Sequence, residues 1–142
     1  MRATLLAALA MGAILSAGTG SAEVVHFKAS LNGASETPPK TTKASGAADI
    51  TLDTVARVLS WKIDYAGLSG PATAAHFHGP AAPGTAAGVT VPITGDLASP
   101  VKGSAAITDG QIGDLRGGLW YVNIHTAKYP SGEIRGQVLQ AK

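Results

Sequence analysis

The chain has 142 residues, with eleven Lys and Arg against nine Asp and Glu, and no cysteine. Its charges are scattered singly, without a basic stripe or an acidic tail, which argues against nucleic acid and anionic membrane surfaces as partners. Without cysteine the chain has no disulfides, and thiolate zinc sites, iron–sulfur clusters and blue-copper centres are excluded.

Residues 1–22 read as a secretory signal peptide. Arg2 supplies the positive charge, Leu5 to Leu15 the apolar run, and Gly20-Ser21-Ala22 the small-residue cleavage site. The apolar run is short for a membrane span, and small residues follow it at once. Cleavage after Ala22 leaves residues 23–142 as a single domain, periplasmic or secreted, with no membrane segment in the mature form. Met1 and Met11 leave with the leader, so the mature chain holds no sulfur. Any metal site must then be built from nitrogen and oxygen.

Val24 to Leu31 opens the mature chain with a β-prone run, and Asn32 to Ser45 is a loop, since Glu36-Thr37-Pro38-Pro39 cannot sit inside a sheet. Ala47 to Leu52 is a second strand candidate. Arg57 to Tyr65 is the clearest strand: Leu59, Trp61, Ile63 and Tyr65 share one face, and Ser60, Lys62 and Asp64 the other. Gly67 to Pro71 is a turn. Ala72 to His78 is a strand that ends at Gly79-Pro80, and 81–88, made largely of Ala, Pro and Gly, is a loop. Val89 to Ile93 and Lys102 to Thr108 are further strands. A short helix fits within Asp109 to Gly117, capped by Thr108 or Asp109. Leu119 to Thr126 and Glu133 to Gln140 are the last two strands, joined by a hairpin connection at Tyr129-Pro130-Ser131-Gly132.

About eight short strands, Gly- and Pro-rich turns and one short helix predict an all-β protein. The class is an antiparallel β-sandwich or barrel, Greek-key or immunoglobulin/superoxide-dismutase-like.

Three of the four histidines lie on two of these strands. Side chains at i and i+2 of a strand share a face, and each residue advances roughly 3.3 Å. His76 and His78 therefore present neighbouring imidazoles, roughly 6.6 Å apart at the backbone, which can lean toward one ion at roughly 2.0–2.1 Å per bond. His125 supplies a third ring if its strand lies beside or opposite the first. It shares its face with Tyr121 and Asn123, while Trp120, Val122 and Ile124 point the other way. His26 reads as an ordinary surface or packing residue. After cleavage it is the fourth residue, so neither an N-terminal Xaa-Xaa-His site nor an N-terminal histidine brace can form.

Other chemistries lack a pattern. There is no Gly-x-Ser-x-Gly elbow and no phosphate-cradling glycine loop. The carboxylates are dispersed and propose no glycosidase pair. Glu133 and Arg135 fall on one face of the last strand, where a structural ion pair is the expectation. Trp61 and Trp120 read as core aromatics. No catalytic residue follows from the sequence, and an enzymatic role stands open.

The segment Leu68-Ser69-Gly70-Pro71-Ala72-Thr73-Ala74-Ala75-His76-Phe77-His78-Gly79-Pro80-Ala81 resembles the first motif of the CHRD domain, named after chordin. Tyr121-Val122-Asn123-Ile124-His125-Thr126, followed by Pro130-Ser131-Gly132-Glu133-Ile134-Arg135-Gly136-Gln137, resembles its second. The resemblance runs from about Val24 to Leu139. It implies an extracellular β-domain, found alone in bacteria and as repeats in chordin, and its motif histidines carry over to His76, His78 and His125. The His-x-His strand is also similar to the copper-binding strand of copper/zinc superoxide dismutase. This chain has fewer histidines than that enzyme's two metals require, so the analogy implies one mononuclear site.

Two functions follow as expectations. The first is an exported protein that binds a single transition-metal ion through His76, His78 and His125, with copper favoured and zinc the alternative. The second is a non-catalytic interaction or matrix module with an unidentified protein partner. Its histidines would be structural, and loops 32–45 and 79–88 would form the contact surface.

Overall fold

The computed structural model describes Gly18 and residues 21–142. Apart from Gly18, Ser21 and Ala22, the expected leader lies outside the described residues. Eight strands follow in chain order: β1 (Val24–Asn32), β2 (Ser45–Asp53), β3 (Val58–Ala66), β4 (Ala72–His78), β5 (Val89–Ile93), β6 (Val101–Ala106), β7 (Trp120–Thr126) and β8 (Ile134–Gln140). One helix, α1 (Asp109–Arg116), lies between β6 and β7, and a 3-10 turn, Gly33–Ser35, follows β1. No helix among the described residues is long and apolar enough to cross a membrane.

The strands form one antiparallel sheet in the order β5-β4-β7-β8-β1-β2-β3-β6. Four strands separate β4 from β3 in that order. At about 4.8 Å per strand, a flat sheet would hold them about 24 Å apart. Yet the rings of Trp61 on β3 and Phe77 on β4 meet edge to face, with centroids 5.2 Å apart. The sheet has therefore curled until its second and seventh strands face each other across a common interior. The fold is a nearly closed barrel, with β5 and β6 as its edges. The all-β expectation holds, and closure of a single sheet is the form it takes.

Period-two patterning fills the barrel. Val25, Phe27, Ala29 and Leu31 of β1 point inward, as do Leu59, Trp61 and Ile63 of β3. Trp61 and Trp120 are both core residues. At Gly103 of β6 a side chain would come within 2.6 Å of the Trp61 ring, so the bare backbone there makes room for the indole.

The helix begins as the sequence predicts. Thr108 caps it in a reciprocal box: the Gln111 N–H donates to Thr108 Oγ1 (3.2 Å), and the Thr108 N–H donates to Gln111 Oε1 (2.9 Å). This use of Thr108 explains why β6 stops at Ala106 rather than running to 108. Leu115 anchors the helix in the core.

β7 departs from the expected one-sided burial. Its inward residues Trp120, Val122 and Ile124 are buried, and so are Tyr121 and Asn123 on the other face. The cover comes from the two Pro-rich loops. The Ala81 N–H donates to the Leu119 carbonyl (2.7 Å), and Gln137 Nε2 donates to the Ala81 carbonyl (2.8 Å). Tyr129 Oη donates to the Thr41 carbonyl (2.9 Å). The loops thus form a partial second layer over β4, β7 and β8.

Phe77→Ala should destabilise the protein by about 3–5 kcal/mol, because it removes a fully buried ring from the contact that closes the barrel. Chemical denaturation at unchanged m-value is the measurement. A loss below 1 kcal/mol would mean that the interior collapses around the gap.

Candidate functional site

Beneath the two loops, β4 and β7 pair with His76 opposite Asn123, His78 opposite Tyr121, and Ala74 opposite His125. All three histidines therefore lie on the outward face, with Asn123 at their centre. Asn123 is across the ladder from His76, two residues from His125, and diagonal to His78. One ring nitrogen from each histidine lies within 4.8 Å of the others. The His76 and His125 rings are 4.9 Å apart, and His76 and His78 5.5 Å apart, in edge-on arrangements. His26 stands exposed on β1 and is not one of this group.

Hydrogen bonding assigns the imidazole protons. His78 Nδ1 lies 2.9 Å from the Ala87 carbonyl, and His125 Nδ1 lies 2.9 Å from the Pro130 carbonyl. A carbonyl only accepts, so each Nδ1 carries the proton. In the neutral rings Nε2 then holds a lone pair on both. His76 Nδ1 lies 3.1 Å from His125 Nε2 and can donate to it. Asn123 Oδ1 lies 3.0 Å from His78 Nε2 and 3.1 Å from His125 Nε2, with no proton between them. Two lone-pair nitrogens and an amide oxygen thus converge with too few donors. Such a point attracts a cation, either a proton or a metal ion.

Burial lowers the pKa of His76, and the neighbouring His125 and His78 rings lower it further. Burial also lowers His78, against the opposing effect of its bonds to Ala87 and Asn123. Both rings are therefore unprotonated, and able to ligate, to lower pH than a free imidazole.

His78 stacks on Tyr121 with centroids 4.7 Å apart and planes within 5°. The Arg135 guanidinium lies 3.4 Å from the centre of the same ring. Tyr121 Oη donates to the Ala87 carbonyl (3.2 Å), the group that also holds His78 Nδ1. The stack fixes the His78 ring from the β8 side.

The CHRD domain profile matches residues 27–138, most of the chain. This protein belongs to the CHRD domain family. No curated protein and no solved structure shows a significant match to it.

In this CHRD domain the expected ion pair between Glu133 and Arg135 does not form. Glu133 precedes β8 and is fully buried. It accepts from Thr42 Oγ1 (2.7 Å), Ser69 Oγ (2.7 Å), Thr126 Oγ1 (2.7 Å) and the Ser69 N–H (3.0 Å). Burial raises its pKa, but these donors outweigh it and hold the carboxyl below its ordinary value. Arg135, 2% exposed, donates to Thr37 Oγ1 (3.2 Å) and the Thr85 carbonyl (2.7 Å) and lies over Tyr121. Neutral partners brought in by the two loops and the 67–71 turn replace the charge partner that spacing proposed.

The sequence gives no sign of Glu36. It is 4% exposed, and Oε1 makes no hydrogen bond of good geometry. Burial pushes its pKa up, against the pull of the Asn123 amide, the Thr37 backbone and Arg135. Its neighbours Thr37-Pro38-Pro39 mark a loop, and loop carboxylates are ordinarily solvated, so only the fold shows that this one is sealed. A cleft of about 350 Å³ lined by Glu36, Thr37, Pro83, Arg135 and Gln137 runs between the loops.

The lowered pKa values of His76 and His78 set a pH dependence. The unfolded chain takes up these protons near pH 6.5, before the fold does. Their contribution to stability is complete above about pH 6.5 and is lost as pH falls through the folded values. Urea midpoints from pH 8 to 5 should therefore fall more steeply for the wild type than for His76→Gln/His78→Gln. Comparison with that variant cancels the opposite effect of Glu36, whose raised pKa favours the fold on acidification. Equal slopes would contradict the assignment.

Proposed function

We propose that this CHRD domain is an exported protein that binds one divalent transition-metal ion through His76, His78 and His125, copper favoured and zinc the alternative. The observation that carries the reading is the convergence of His78 Nε2 and His125 Nε2, each with its Nδ1 proton held by a backbone carbonyl, beside His76 Nδ1. Supporting acceptors of this kind fix the tautomer and raise ligand basicity in metal sites. The group fits the donor chemistry. Imidazole suits Cu(II) and Zn(II), the affinity order favours Cu(II), and no thiolate is present to select Cu(I). Export rests on the leader expected over 1–22, and it places the protein in the periplasm or outside the cell.

The second reading has support of its own. The bonds from His78 to Ala87 and from His125 to Pro130 tie β4 and β7 to loop 79–88 and to the β7–β8 connection. A purely structural network of this kind would serve an extracellular interaction module without an ion.

Calorimetric titration of the protein, purified without a histidine tag, separates the two. The metal-binding reading expects stoichiometric Cu(II) or Zn(II) uptake at neutral pH. His78→Ala and His125→Ala should weaken it by more than about 100-fold, beyond the loss typical of supporting residues. Uptake should fall off below about pH 6, where protons compete for the rings. No uptake above background by the wild type would overturn this reading and leave the structural one.

A further inference from the structure

We infer that Glu36 is the positioning residue of the histidine cluster: its carboxylate holds the Asn123 amide with Oδ1 turned toward the imidazoles, and its charge balances a cation bound there. The second half rests on the metal-binding reading, and the first does not.

Three observations lead to this residue. The first is its unexplained burial. None of the four ion pairs among the described residues includes Glu36, and its Oε1 is sealed from solvent without a hydrogen-bond partner. A bare carboxylate oxygen in that setting is costly, and a fold that keeps one has arranged something else around it.

The second is the space made for it. Gly132, at φ 124°, lies where Glu36 and Asn123 meet. A Cβ at this position would overlap Glu36 Oε1 and come within 2.8 Å of Asn123 Nδ2. The bare glycine thus lets a carboxylate from the 33–44 loop reach the amide end of a β7 side chain.

The third is the orientation of Asn123. An amide has one accepting and one donating end. Toward the rings it presents Oδ1, at 3.0 Å from His78 Nε2 and 3.1 Å from His125 Nε2. Considered with the rings alone, the flipped amide is better, because Nδ2 would donate its two protons to the two Nε2 lone pairs. That arrangement uses up the lone pairs that a cation needs. A carboxylate behind the amide reverses the preference, since the flip would set Oδ1 against the Glu36 oxygens. Glu36 thereby keeps the cluster rich in acceptors.

The balance of charge points the same way. Three neutral imidazoles leave a divalent ion's charge uncompensated, and among the described residues no carboxylate joins the three histidines as a ligand group, while the buried Glu133 is taken up by Ser69, Thr42 and Thr126.

Two measurements test the inference. In the metal-free wild type, nuclear Overhauser contacts of the Asn123 Nδ2 protons should run to the Gly132 α-protons and not to the ring protons of His78 and His125. The reverse pattern overturns the inference without any variant. In Glu36→Gln, the Asn123 amide signals and the His78 and His125 Nε2 nitrogen shifts should move toward those of a hydrogen-bonded lone pair, and Cu(II) affinity should drop about 10–100-fold at unchanged thermal stability. Unmoved nitrogen shifts overturn the positioning role, and shifts that move at constant affinity overturn the charge-balancing role. A wild type that binds no Cu(II) while His78→Ala behaves identically would overturn the metal-binding reading and the charge-balancing half with it. The positioning half then stands or falls on the magnetic resonance data.

Discussion

β4 and β7 lie side by side with His76 opposite Asn123, and this register gathers three imidazoles around one amide. A slip of one residue would send His76 and His78 into the barrel and Phe77 into the loops, because strand side chains alternate with a period of two. The register is held from inside. Phe77, Val122 and Ile124 are fully buried, and Phe77 meets Trp61 across the interior. Apolar packing on one face of the pair therefore sets the polar chemistry on the other.

The polar face is unusual in being covered. The loop 79–88 and the segment after β1 lie over it and bury groups that would otherwise be solvated. Three of them are answered by specific partners: Glu133 by hydroxyls, Arg135 by Thr37, the Thr85 carbonyl and the Tyr121 ring, and His78 by Ala87. Removing one partner would leave a buried polar group unmatched, which costs about 1–3 kcal/mol and more for a charge. The covering layer and the site beneath it are thus mutually dependent. The same layer buries His78 and half-buries His76, and this burial is the main cause of their lowered pKa values.

Much of this was legible before the fold was known. The alternation at Leu59, Trp61, Ile63 marks β3, Thr108 with Gln111 marks the helix start, and Pro-Gly clusters mark the turns. His76 and His78 share a face by strand geometry alone. The Glu133–Arg135 ion pair that spacing proposes does not form, because spacing within one strand says nothing about what other segments bring to it. Ser69, Thr42 and Thr85 come from three distant parts of the chain. Glu36 left no trace because its neighbours read as exposed loop.

Local pattern was enough for the strands, the turns, the helix cap and the pairing of His76 with His78, because each depends on residues within a few positions of one another. Tertiary structure alone decided that the sheet rolls into a nearly closed barrel, that His125 joins the other two histidines, and that Glu36 is sealed behind Asn123. These depend on which strand lies next to which and on how two loops fold back over a sheet. Both are settled by long-range burial of apolar surface, which no window of the sequence contains.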